Sequence, residues 1–362
     1  VFTFGAMNIP GVSEDQAVAT AEAAYRAGIN HFETARWYGT SEKLLGKAFQ
    51  TIPRDKLVLT TKIGPTKTED EMAKAIDESL ERMGVSHIDN FDIHGINTAG
   101  LLARAVDEKN CFRAVRKALD EGKIRHVGFS THAPLEVILE AIRTDLFTSI
   151  NLHFYFFNQR NLPAVKLAAE KDMGILIISP TDKGGQLHLP PEKLVRMTAP
   201  HTPIALNARF CLSFPEVSTL TLGAKHPDEF AAQLAVADDD GPLRPDEISL
   251  LEGLQAEAAK QLGTTACTQC FACLPCPADI HIPEVLRLRN LAVAYDMVGF
   301  GQYRYRLFEN GSHWFPGKKA DKCTHCGECL PRCPEKLNIP GLIQESHEML
   351  FTGEGKRKWE TT

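Results

Sequence analysis

Residues 57–94 contain "LVLTTK" (57–62), "EDEMAKAIDESLERMG" (69–84) and "HIDNFDIH" (87–94), which read in order as a strand, a helix and a strand. The outer two runs are short and rich in apolar or β-branched residues, while the middle one is amphipathic and closes on Gly84, as helices commonly do. Working outward, the same alternation recurs. Strand-like runs occupy 29–34 ("INHFET"), 125–131 ("RHVGFST"), 148–154 ("TSINLHF"), 174–180 ("GILIISP") and 217–224 ("VSTLTLGA"), and amphipathic stretches such as "EDQAVATAEAAYRAG" and "LPAVKLAAEKDMG" lie between strands. With the opening "VFTFGA" this makes about eight βα units, the number that closes a TIM (β/α)8 barrel. A doubly wound open sheet is the competing arrangement. Either fold places its site at the C-terminal ends of the strands, and there the polar residues Glu33, Lys62, His94, Ser130 and Asn151 gather.

The pattern changes after about residue 236. "ADDDGPLRPDEIS" is polar and turn-rich, so the barrel is assigned to 1–240 and a second, mainly helical domain to 241–362. Two cysteine runs interrupt its helical stretches: "ACTQCFACLPCPADIHIP" with Cys267, Cys270, Cys273 and Cys276, and "KCTHCGECLPRCPEKLNIP" with Cys323, Cys326, Cys329 and Cys333. A C-x2-C-x2-C run wraps three thiolates round one face of a cubane, and the final Cys-Pro sends its sulfur to the other cluster of a pair. The spacing predicts a ferredoxin-like domain with two 4Fe-4S clusters. Crossed ligation gives Cys267, Cys270, Cys273 and Cys333 to one cluster and Cys323, Cys326, Cys329 and Cys276 to the other. The first run is one residue shorter before its last cysteine.

Zinc sites usually pair two C-x2-C knuckles across a longer gap, and a disulfide framework suits a small chain with a secretory leader; neither describes this pattern. Cys111 and Cys211, in "KNCFRAV" and "ARFCLSF", read as buried inert thiols. Ile282-Pro283 and Ile339-Pro340 each begin a helix shortly after a cysteine run, which suggests internal pseudo-symmetry.

A length of 362 residues with 43% hydrophobic and 24% charged content suffices for a large core and a second unit. The net charge is −6 and no basic stripe carries interleaved aromatics, so the partner is a small molecule rather than nucleic acid. No apolar run reaches the roughly 20 residues of a membrane span. The chain opens on Val1 inside a strand-like run without an initiator Met, leaving a preceding or removed segment open. Oxygen-sensitive clusters and unpaired thiols point to the cytoplasm.

Four residues at successive strand ends have a joint chemical meaning: Glu33, Tyr38 just beyond it in "ETARWYGTSEKLLG", Lys62 and His94. A neighbouring ammonium lowers the pKa of a phenol, which then serves as acid to an alkoxide forming from a carbonyl. A carboxylate holds the lysine in place, and an imidazole orients the carbonyl oxygen. Trp37 is a candidate pocket wall, Gly95 leaves room after His94, and Asp182 and Lys183 sit on a loop after the seventh strand. Trp314 is expected to be buried beside the second cysteine run.

"GINHFETARWYGTSEKLLGKAF", "TTKIG", "IDNFDIHGIN", "GKIRHVGFSTH", "GILIISPTDKGGQL" and "VSTLTLGAKHPDEFAAQL" resemble the aldo/keto reductases over roughly residues 1–240. With the cysteine runs, the whole chain resembles the iron-sulfur-containing branch of that family. The resemblance implies a TIM barrel with Tyr38 as acid/base, Lys62 as its activator, His94 as the orienting group and Glu33 where aspartate is usual. It also implies NADP(H) or NAD(H) at the barrel mouth. Ser130, Thr131 and Asn151 fall at the positions that bind the nicotinamide amide, Ser179 at the stacking position, and Gly223, Ala224 and Lys225 near the adenosine phosphate. Glu229 and Gln233 stand where NADP-dependent members carry arginine and asparagine.

Hydride transfer moves two electrons together, whereas each 4Fe-4S cluster passes one, and joining the two requires a converter such as a flavin or a substrate that tolerates a radical. Three readings follow: an oxidoreductase acting on carbonyls, with structural or regulatory clusters; a ferredoxin-linked reductase whose clusters feed the barrel site; and a non-catalytic electron-transfer or assembly subunit.

Overall fold

The computed structural model describes residues 2–239 and 241–355. Eight parallel strands close into a barrel in sequence order: β1 (Phe2–Gly5), β2 (His31–Glu33), β3 (Val58–Ile63), β4 (Ile88–Ile93), β5 (Ile124–Ser130), β6 (Ser149–Leu152), β7 (Gly174–Ile177) and β8 (Thr219–Gly223). Pairing of β1 with β8 closes the cylinder and excludes the open sheet. The helix Glu69–Met83 illustrates why the intervening segments coil. Thr68 and Glu71 form a reciprocal capping box, Gly84 ends the helix at φ 65°, and Met72, Ile76, Ser79 and Met83 form its buried stripe.

Side chains alternate along each strand. Phe4, Phe32, Leu59, Phe91, Phe129, Ile150, Ile175 and Leu220 are all buried. The alternate set is polar and hydrogen-bonds across the barrel. In a lower layer Thr3 bonds His31 and Thr219 at 2.9 Å each, His31 bonds Thr60 at 2.7 Å, and Ser149 donates to Asn90 at 3.0 Å. In the layer above, Glu33 accepts from Lys62, Asn151 and Thr221. Barrels commonly fill this space with branched apolar side chains; here buried polar groups occupy it and bind one another, as removal from water demands.

The structure divides into two compact units, the first comprising 1–184 and 207–242 and the second 185–206 and 243–361 over the described residues. In the second unit Pro245–Leu262 packs against Glu192–Thr198, with Lys193 bonded to Glu257 at 2.8 Å. Ile282–Tyr295, Val298–Tyr305 and Ile339–Leu350 complete its main helices. The side chains of His281 and Asn338 cap the helices beginning at Ile282 and Ile339, accepting from Glu284 and Gly341 amides. Left-handed backbone recurs at Gln269, Phe271 and Asp279 and at His325, Gly327 and Lys336, the matching places in the two runs. The repeated IP motif thus marks a repeated backbone path. Among the described residues no helix is long and apolar enough to cross a membrane.

Candidate functional site

Tyr38 is carried on a tight turn between β2 and the helix Ser41–Ala48. Tyr38 N donates to Ala35 O at 3.0 Å within the turn, while Arg36 N donates to Lys62 O at 2.9 Å and Ser41 Oγ to Ala6 O at 2.7 Å, so the turn is fastened to two neighbouring strand ends. The arrangement brings the Lys62 ammonium to 5.2 Å from the Tyr38 ring centroid. Lys62 is hydrogen-bonded to Glu33 and donates to Thr34 O at 2.9 Å. His94 meets the Tyr38 ring edge-on at 5.7 Å, and Trp37 stacks on His94 at 5.0 Å. Glu33, Tyr38, Lys62 and His94 therefore form one constellation. Gly95, at φ 75°, turns the chain after His94, and its amide donates to the Ser130 carbonyl and hydroxyl.

The charges in this constellation are coupled. Burial opposes ionisation of Glu33, yet Lys62 and the donors Asn151 and Thr221 hold its carboxyl below the usual range. Burial likewise opposes the Lys62 ammonium, but Glu33, Tyr38 and Asp92 keep it above its ordinary value. For Tyr38 burial dominates: its phenol lies above its ordinary value, with Lys62 pulling the other way. Proximity to lysine predicts the opposite net direction. The difference arises because burial of the phenol outweighs the lysine, whose charge Glu33 further offsets. The phenol stays protonated near neutral pH and is available as a proton donor.

The positions that the resemblance assigns to a nicotinamide are differently engaged. Asn151 is fully buried and its amide nitrogen donates to Glu33 at 2.8 Å. The Thr131 hydroxyl donates to Ile96 O at 2.7 Å and accepts from Ala133 N at 3.0 Å. Ser179, half-buried at φ 47°, offers no ring for stacking. Gly223 ends β8, Ala224 is buried and Lys225 is exposed, and the Lys225 amide donates to the Glu229 carboxylate at 2.9 Å. Asn151 thus has its nitrogen committed to Glu33 and its Oδ1 unengaged, Thr131 is committed to backbone groups, and a dinucleotide phosphate would meet the Glu229 carboxylate beside Lys225. Asp182 and Lys183 are half-buried in the turn after β7.

In the second unit the cysteines surround two cavities. Cys267, Cys270, Cys273 and Cys333 line one, together with Phe271, Pro283, Leu286, Leu337 and Ile339. Cys276, Cys323, Cys326 and Cys329 line the other, with Ile282 and Ile343. Each cavity takes three thiols from one run and the fourth from the other. Among the described residues no three His, Cys, Asp or Glu side chains converge as a single metal ion requires; the thiols instead enclose a volume. Burial and neighbouring thiols push Cys273 up to about 12, so joint ionisation needs the positive charge of iron. This donor set fits a 4Fe-4S cluster in each cavity. Cys111 and Cys211 are buried, with Cys211 Sγ 3.4 Å from Phe154 O, and Trp314 is buried in the second unit.

The aldo/keto reductase family profile matches residues 2–188. The chain belongs to the aldo/keto reductase family. Residues 266–337 match the 4Fe-4S dicluster domain, so this family member carries a domain for two clusters. It is 34% identical over 188 residues to an L-galactose dehydrogenase of Arabidopsis thaliana, covering 48% of this chain and 57% of the plant protein. An aldo-keto reductase of Mycolicibacterium paratuberculosis is 27% identical over 254 residues, covering 68% of this chain and 84% of the relative. The chain thus spans little more than half of the Arabidopsis protein and most of the mycobacterial one. In fold it is similar to the aldo-keto reductase AKR11C1 of Bacillus halodurans in its holo form, with TM-score 0.60 and 23% identity over 69% of this chain and 90% of the other. This chain is therefore an aldo/keto reductase family member that also bears a dicluster domain.

One interior residue was not singled out from the sequence. Asp92 alternates with His94 and Asn90 along β4, and that spacing of two places all three on one face. The "DIH" of "NFDIH" was therefore the available signal.

Proposed function

We propose that the barrel mouth reduces a small carbonyl substrate, with Tyr38 as the proton donor. The observation that carries this reading is the placement of the Lys62 ammonium between the Glu33 carboxylate and the Tyr38 ring, with His94 against the same ring. As the carbonyl carbon gains a hydride from a bound reductant, or two electrons from the donor and a proton from solvent, its oxygen takes the Tyr38 hydroxyl proton. Lys62 stabilises the resulting phenolate, and Glu33 fixes Lys62 beneath it. His94, stacked by Trp37, is placed to orient the carbonyl oxygen.

Four thiols per cavity support two 4Fe-4S centres, which when bound supply one-electron transfer. The two cluster cavities and the Glu229 carboxylate at the Lys225 amide support a second reading, in which reducing equivalents come from a ferredoxin-type donor rather than from NAD(P)H. The likeness to a relative named L-galactose dehydrogenase supports including aldoses among the substrates tested.

The test measures turnover of aldehydes, ketones and aldoses by cluster-loaded protein supplied with NADPH, NADH or reduced ferredoxin. Tyr38→Phe is expected to lose about 10²–10⁴-fold in rate with cluster content unchanged. Unchanged turnover in that variant would remove Tyr38 from the chemistry. Activity with NADPH that survives cluster loss in Cys270→Ser would assign the clusters a structural role.

A further inference from the structure

The barrel interior holds a second carboxyl that the proposed reaction does not use. Asp92 is 1% exposed and is the register partner of Lys62 on the neighbouring strand. Its Oδ1 accepts from Asn90 Nδ2 at 3.2 Å, whereas its Oδ2 is buried without a partner. The Asn151 amide lies within hydrogen-bonding reach of the Asp92 carboxyl, and Asn151 Oδ1 is likewise buried without a partner. Neither oxygen has a hydrogen bond; the Asn151 nitrogen, which bonds Glu33, leans toward the Asp92 carboxyl and only partly offsets its burial. A proton on Asp92 Oδ2 removes the uncompensated charge and gives that buried oxygen an O–H to donate. Gly128 on β5 makes the room: a Cβ there would collide with Asp92 Oδ1 and Ser149 Oγ.

We propose that Asp92 is held as the neutral acid beneath Lys62 and is a positioning residue that sets the acid strength of Tyr38. The proposal rests on the Tyr38 reading given above. The charged groups bearing on Asp92 are Lys62 of β3 and Glu33 of β2, with Tyr38 above them. His31 of β2 lies in the layer below, and β5 and β6 contribute the uncharged Gly128, Ser149 and Asn151.

With Glu33 ionised, Lys62 is already balanced, so a second negative charge has no counter-ion inside the barrel. Burial first, and then Glu33, push the Asp92 carboxyl up to about 7, against the pull of Lys62. Loss of this proton adds a negative charge below Tyr38 and makes the phenol harder to ionise, weakening it as an acid. The rate should therefore fall as pH rises through the Asp92 titration. Asp92→Asn keeps the shape and a neutral donor and should abolish that limb.

The experiment has two arms on full-length, cluster-loaded protein. Infrared difference spectra between acid and alkaline pH should show a protonated-carboxyl stretch in the wild type that is absent from Asp92→Asn. If that variant fails to fold, the ¹³C carboxyl resonances of aspartate-labelled wild type give the same answer, through one aspartate titrating near neutral pH. Absence of any such aspartate in both measurements overturns the proposal. The second arm is the pH–rate profile with the best substrate and donor found above. An alkaline limb unchanged in Asp92→Asn overturns the link to Tyr38. Full activity in Tyr38→Phe together with a titrating Asp92 would sink the functional reading while leaving the proton assignment standing, so the two failures are distinguishable.

Discussion

Replacing Lys62 by Met removes the ammonium from a site in which the Lys62 and Glu33 side chains are 2% and 3% exposed. Glu33 keeps Asn151 at 2.8 Å and Thr221 at 2.9 Å. Each neutral hydrogen bond contributes only about 1 kcal/mol net, too little to hold a bare carboxylate away from water. Breaking a buried pair from one side costs about 3–5 kcal/mol. At roughly 2–4 °C per kcal/mol for a domain of this size, the melting temperature should fall by about 6–20 °C near neutral pH.

The pH dependence should also change sign. In the wild type the folded Glu33 pKa is lowered, so its contribution is present above the unfolded value and is lost as pH falls through the folded one. Without Lys62, burial raises that pKa; stability is then greatest in acid and declines as pH rises through the new folded value. The gap between wild type and variant should therefore widen from pH 5 to pH 8. Thermal melts by near-ultraviolet circular dichroism, with cluster absorbance followed separately, measure it. Glu33→Gln combined with Lys62→Met should recover most of the loss without restoring turnover. A Lys62→Met deficit below about 1 kcal/mol at pH 8, or one independent of pH, would refute the claim that Lys62 compensates a buried charge.

Gly128→Ala forces a methyl group onto Asp92 and Ser149 and should destabilise the barrel by about 1–3 kcal/mol, as measured by denaturant unfolding; a neutral effect would mean that the β5–β6 contact is looser than described. Cys333→Ser, although in the second cysteine run, should disrupt the cluster bounded by Cys267, Cys270 and Cys273 and spare the one bounded by Cys323, Cys326 and Cys329. Electron paramagnetic resonance of the reduced protein should then show one cluster signal and no spin coupling to a second, and selective loss of the other cluster would contradict crossed ligation.

The eight strands were legible because each is a short β-branched or apolar run between amphipathic stretches, a purely local signal. Glu33, Lys62 and His94 were legible as strand-end polar residues, and Tyr38 as the aromatic just past one of them. The membership of 185–206 in the second unit was not, because it depends on contacts such as Lys193 with Glu257 between segments far apart in the chain. The direction of the Tyr38 pKa also escaped, since it depends on the balance between burial and the Glu33-compensated lysine. Asp92 lay in plain view but carried no meaning until its neighbours across the barrel were known.

By itself, then, the sequence determined the alternation that closes a barrel, the cysteine spacing of a two-cluster domain and the residue types of the candidate site at the strand ends. These follow from backbone periodicity and from fixed ligand spacing along the chain. Only the tertiary structure decided that Asn151 is turned onto Glu33, that burial outweighs Lys62 at the Tyr38 phenol, and that Asp92 lies beside Lys62 with an unmatched oxygen. The physical reason is common to all three. Charge and hydrogen bonding depend on distances through space, and closing a barrel sets those distances between residues that the chain holds far apart.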